Sequence, residues 1–145
     1  MEQILLNIMR RLADSMTDVS LIDEDYGQLE TDEDTYPVTF PCLLVGNMAV
    51  DWTDTTSLCQ KGSALFTVRL AIDCYHDTYI GSSQEDMMVT RQAMAQRVYK
   101  ALQGFRPTGD TGRISRRKSL QFAIRGGIKV YEITFALPMH DDSAD

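Results

Sequence analysis

The sequence predicts an α+β domain: an antiparallel, mostly four- to five-stranded sheet with two helices packed on one face, in the order α-β-β-α-β-β. Three observations lead there. Two segments repeat apolar residues at helical spacing. One long segment alternates apolar and polar residues with the period of a strand. The last two strand-like segments are joined by a glycine pair that suits a hairpin. With 145 residues, 43% of them hydrophobic and 24% charged, the chain has the size and composition of one self-sufficient domain. We assign that domain to residues 1–140, with a mobile acidic loop at 23–36 and a disordered tail at 141–145.

Residues 2–16 form the first expected helix. Ile4, Ile8, Leu12 and Met16 recur every four residues, with Leu5 and Met9 beside them. Arg10, Arg11 and Asp14 fall on the opposite side. Residues 23–36, DEDYGQLETDEDTY, hold seven acidic side chains and no basic one. Self-repulsion and low hydrophobicity there predict a loop. The aspartates do not follow the spacing of a calcium loop: the glycine at its sixth position and the glutamate at its twelfth are missing.

Beyond Pro37 the chain turns extended. The apolar run FPCLLVG at 40–46 predicts a strand, with Val50, Asp51 and Trp52 continuing it after a break. Trp52 is the only tryptophan, and a core or interface anchor is its commonest role. Residues 62–76 give the clearest strand. Phe66, Val68, Leu70, Ile72 and Cys74 alternate with Thr67, Arg69, Ala71, Asp73 and Tyr75. Its length exceeds the usual strand, which predicts a projecting arm or a bulge.

The second helix opens at a capping-box sequence, Ser82 to Glu85, and stops at Gly104. Its stripe is Met87, Met88, Met94, Ala95, Val98, Ala101 and Leu102. A glycine- and proline-bearing loop follows at 105–113. Strands are then expected at 114–124 and 129–139, with a turn at 125–128 and a stop at Pro138.

Charge is distributed unevenly. The net −7 divides into −12 over residues 1–90, +9 over 91–129 and −4 over 130–145. Three explanations fit such a reversal: nucleic-acid contact, the mating of opposite surfaces between proteins, or simply a solvated helix face next to a solvated hairpin. Signals for chemistry are sparse. The chain has two histidines, His76 and His140, and three cysteines, Cys42, Cys59 and Cys74, whose spacing matches no metal motif. Cys74 and His76 lie two apart on one strand, an arrangement that suits a packed thiol beside a surface imidazole better than a catalytic pair. Phosphate-loop and dinucleotide sequences are missing, as is HExxH. No catalysis, metal or cofactor is therefore expected. An odd cysteine count points to a reducing compartment. No apolar run reaches membrane-spanning length, so no membrane partner is expected. Arg113, Arg116, Arg117 and Lys118 form the basic cluster with the strongest claim to a partner.

The layout resembles the tail-terminator and tail-completion proteins of long-tailed phages and prophages, with related head–tail joining proteins. The resemblance runs over residues 2–139. It is carried by ILLNIMRRL, PCLLVG, GSALFTVRLAIDCYH, VYKALQGF and VYEITFALPM in that order. It implies a structural subunit of a virion tail that assembles in the bacterial cytoplasm. Such subunits form a ring, commonly hexameric, that caps the tail tube and joins it to the head. The implied partners are further copies of the chain, the tail tube protein and a head-closure or neck protein. A ring repeats a heterologous contact, in which one surface meets a different one. We therefore expect Arg113, Arg116, Arg117 and Lys118, with Trp52 as an apolar anchor, to lie in a subunit or partner interface. The alternative is a nucleic-acid-binding accessory protein that uses the basic stretch 113–118.

Overall fold

The computed structural model describes residues 1–74 and 85–144. Its elements are helix α1 (Glu2–Ser15), strand β1 (Leu21–Glu24), a 3-10 turn (Gln28–Glu30), β2 (Cys42–Asp54), β3 (Gln60–Asp73), α2 (Glu85–Leu102), β4 (Ser115–Ile124) and β5 (Ile128–Asp141). The five strands form one sheet in the order β1-β2-β3-β5-β4.

The α+β class holds, with two corrections. The sheet is mixed, because β1 runs parallel to β2 while every other pairing is antiparallel. The element order is α-β-β-β-α-β-β, one strand more than expected. Brevity and charge hide the extra strand. Four residues, LIDE, carry too little alternation to register as a strand and overlap the acidic run.

Helical spacing in α1 does what it predicts: Ile4, Leu5, Ile8 and Leu12 are all buried. They share a core with Val98, Ala101 and Leu102 of α2 and with one face of the sheet, represented by Leu43, Val45, Phe66, Val68, Leu70, Ile133, Phe135 and Leu137. Both helices therefore cover the same face. Phe66 and Phe135 stack at its centre, with ring centroids 5.5 Å apart. Each such fully buried side chain contributes about 1.5–3 kcal/mol.

The opposite face has a different cover. Leu29, Tyr36, Val38 and Phe40 pack on Cys42, Leu44, Ala71, Ile128 and Val130. Thus the stretch expected as an acidic loop bears the end of β1, a 3-10 turn and an apolar lining. Its charges dominate the composition and mask the apolar residues between them. Arg69 fastens this cover. Its guanidinium contacts Glu30, lies 2.9 Å from Glu132 and 3.7 Å from Asp25. Arg125, in the β4–β5 turn, donates to the carbonyls of Thr31 and Glu33. The Tyr36 hydroxyl donates back to the Arg125 carbonyl at 2.8 Å.

The expected bulge exists, but on the neighbouring strand. Pairing of β3 with β5 runs unbroken from Gln60 to Asp73. The register shift lies in β2 between Gly46 and Ala49, where Asn47 takes a φ of 53°. That shift is the break anticipated before Val50. Pro138 does not end β5, which continues to Asp141. The Pro138 carbonyl accepts from Gly112 rather than from a strand neighbour. Its ring nitrogen faces the same way, so the missing N–H takes nothing from the ladder with β3. The turn between β4 and β5 is Arg125-Gly126-Gly127, and both glycines have positive φ, 83° and 75°. The capping box lies outside the described residues except for Glu85, and so does His76.

Candidate interaction surface

The two edges of the sheet differ in charge. At one edge, β1 carries Asp23 and Glu24. At the other, β4 reads SRRKSLQFAI and is bordered by Arg113 and Arg125. Every side chain of β4 from Arg116 to Gln121 is exposed.

Three of the four basic residues expected at an interface meet on this edge. A register shift between Arg116 and Lys118 leaves Arg117 as an extra residue. In a regular strand Arg116 and Lys118 would share a face. Here Arg116 is opposite Phe135 and Lys118 opposite Thr134, so they emerge on opposite faces. Arg116 lies on the helix side, its guanidinium carbon 3.8 Å from the centre of the Tyr99 ring. Its backbone N–H donates to Gln103 Oε1 at 2.8 Å. Arg117 makes one long contact, 3.4 Å to the Ser115 hydroxyl. Arg113 acts locally instead, and its Nη1 donates to the Gly104 carbonyl at 2.8 Å, just beyond the end of α2. Trp52 does not join the cluster. It sits on β2, three strand positions from β4, with its indole over Gly62 and 37% of its surface exposed.

Beneath the β4 edge lies a groove of about 570 Å³ between α2 and the sheet. Arg91, Gln92 and Ala95 line it from α2, and Arg116, Lys129 and Tyr131 from the strands. Glu132 also reaches it, but its carboxylate is engaged with Arg69. Arg91 is only 8% exposed. Its Nη1 points at the Cys74 sulfur, 3.2 Å away, and its buried Nε–H has no acceptor. A buried donor left in this state costs about 1–3 kcal/mol, and more when charged. Among the described residues the ion pairs involve Arg69 and Arg97 only, so Arg91, Arg116 and Lys129 have no carboxylate partner there. Met88 also lines the groove and is 42% exposed, and its neighbours on α2, Met87 and Val89, are 41% and 68% exposed.

Sequence reasoning misses Arg91 and Lys129. For Arg91 one signal exists. Positions 87, 91, 94, 98 and 101 share a helix face, and Arg91 is the charged member of that apolar stripe. Lys129 carries no signal, because its place in the groove comes from the pairing of β5 with β4.

Elsewhere the titratable groups serve the fold. Burial pushes the Cys42 thiol up to about 11, with a backbone hydrogen bond at Ala71 opposing it and the charge of Asp25 adding to it. For Arg69, burial alone would favour the neutral form. Hydrogen bonds to Glu30 and Glu132 outweigh it and raise the pKa. Asp18 is held below its ordinary value chiefly by its hydrogen bonds with Arg97. Among the described residues no helix is long and apolar enough to cross a membrane. No cluster of three or more His, Cys, Asp or Glu side chains suited to a metal occurs among them either.

No protein-family model matches the chain, and no curated protein matches it. Among solved structures, a chain of the virion of a native gene transfer agent particle has the same fold, with a TM-score of 0.62. The match covers 92% of each chain at 10% sequence identity.

Proposed function

We propose that this chain is a structural subunit of a phage-like virion, of the kind that caps the tail tube and joins it to the head by assembling into a ring. The observation that carries the proposal is the likeness to a gene transfer agent virion chain along 92% of both molecules. A likeness of that extent supports the same whole-domain use. The charged edges add physical support. A ring needs two different surfaces on each subunit that fit one another, and β1 and β4 supply opposite signs at opposite ends of one rigid sheet. In the proposal the partners are further copies of the chain, the tail tube protein and a head-closure or neck protein. The chain resides in the tail, and its role is assembly rather than catalysis.

Deleting the coding sequence from the producing cell and imaging the particles tests this. The expected result is unjoined heads together with tails of uncontrolled length, both restored by supplying the chain in trans. Normal particles in normal number would refute the assignment. Salt-sensitive retention of the purified chain on DNA, with particle assembly unaffected by its loss, would favour the accessory nucleic-acid role.

A further inference from the structure

The geometry points to the groove between α2 and β4 as the receiving half of a contact with a second copy of this chain, whose acidic β1 edge supplies the carboxylate that Arg91 and Arg116 lack. The inference rests on the assembly role and adds to it the two surfaces that meet.

Three observations converge on the groove. Arg91 is buried on its wall with an unsatisfied Nε–H. Arg116 and Lys129 add two cations without carboxylate partners among the described residues. Exposed Met88 lines the groove, the adjoining Met87 and Val89 on α2 are exposed as well, and water would leave this apolar surface on docking. A cationic centre with an apolar rim fits an acidic protein segment better than a phosphate backbone. Nucleic acid would gain nothing from the methionines, and the chain's net charge of −7 would oppose its approach.

Position identifies the occupant. A ring contact joins two different surfaces of each subunit, and β1, at the sheet edge away from β4, carries the charge that complements the groove. On β1 the Asp23 carboxylate is already used, accepting from the Glu24 backbone N–H at 2.8 Å and from the Gln28 side chain at 3.5 Å. The Glu24 side chain is exposed and has no ion-pair partner among the described residues. Glu24 is therefore the carboxylate that enters the neighbour's groove.

The test is a charge swap followed by sedimentation velocity of the full-length chain across rising concentrations. Wild type is expected to self-associate, and the association should weaken as salt increases. Arg116→Glu alone and Glu24→Arg alone should each weaken it at least about tenfold, and an equimolar mixture of the two variants should recover a mixed dimer. Arg91→Lys, which keeps the charge but loses the guanidinium fork, should weaken association while thermal melting shows the fold intact. A wild-type chain that stays monomeric throughout overturns this contact, while the assembly role stands on the particle phenotype. Association unchanged by Arg116→Glu overturns it. So does loss in both single variants without recovery in the mixture, since the occupant is then another segment. Retention on DNA that Arg116→Glu abolishes, without self-association, assigns the groove to phosphate instead.

Discussion

Replacing Arg69 with methionine should detach the acidic segment from the sheet, and the size of the loss follows from the geometry. Arg69 has 17% of its side chain exposed and faces Asp25 at 4%, Glu132 at 20% and Glu30 at 56%. The Glu30 pair is largely solvated and contributes at most about 1 kcal/mol. The Glu132 contact, a 2.9 Å charge-assisted hydrogen bond in a half-buried site, contributes about 1.5–3 kcal/mol. Asp25 is farther away at 3.7 Å but nearly buried, so without the cation its carboxylate is left with little water to replace it. These bounds place Arg69→Met at about 2–4 kcal/mol. For a chain of this length that lowers the melting temperature by roughly 4–16 °C. Urea titration measures the loss. Limited proteolysis should show cleavage within residues 25–40 appearing below the global transition. Adding Glu132→Gln and Asp25→Asn to Arg69→Met should return much of the stability, because unpaired negative charge is the main cost. A loss under about 1 kcal/mol with no new cleavage would refute the view that Arg69 clamps this segment to the sheet.

Three further perturbations follow from the structure. A Cβ at position 62 would lie 2.8 Å from Val50 Cγ1 and 2.9 Å from Trp52 Cζ3, so Gly62→Ala should cost about 1–3 kcal/mol and shift the emission of the only tryptophan. With its thiol pushed up to about 11, Cys42 should resist a thiol reagent at about pH 8 in the native protein and react on unfolding, whereas Cys59 should react without unfolding. Asp18→Asn removes a bidentate pair to Arg97, at 3.0 and 2.6 Å, whose side chains are 46% and 43% exposed. It should cost under about 1 kcal/mol and less in high salt. Because the folded Asp18 pKa is depressed, its contribution is present above the unfolded value of 3.8 and disappears as pH falls through the folded one. Urea titrations of wild type and variant should therefore converge at acid pH.

Most of the helix-covered half of the fold is legible in the sequence, because periodicity reports burial directly. Ile4, Ile8 and Leu12 on α1 and Phe66, Val68 and Leu70 on β3 are buried as their spacing requires. The other face is not legible. Tyr36, Val38 and Phe40 alternate with the period of a strand yet form none, and with Leu29 they cover the sheet only because the chain crosses it between β1 and β2. The parallel pairing of β1 has the same origin: it depends on a crossover rather than on a local turn. For the interaction surface, composition locates the basic stretch but cannot divide it. One extra residue at Arg117 sends Arg116 and Lys118 to opposite faces, and one carbonyl at Gly104 engages Arg113. Arg91 and Lys129 join the groove through tertiary packing, which no single segment encodes.

The capping role is open to direct observation: purified chain is added to polymerising tail tube protein from the same particle, and the tubes are imaged by negative stain. A ring of density should appear at one end of each tube, with growth arrested in proportion to the chain added. Bare tube ends and an unchanged distribution of lengths would contradict that role.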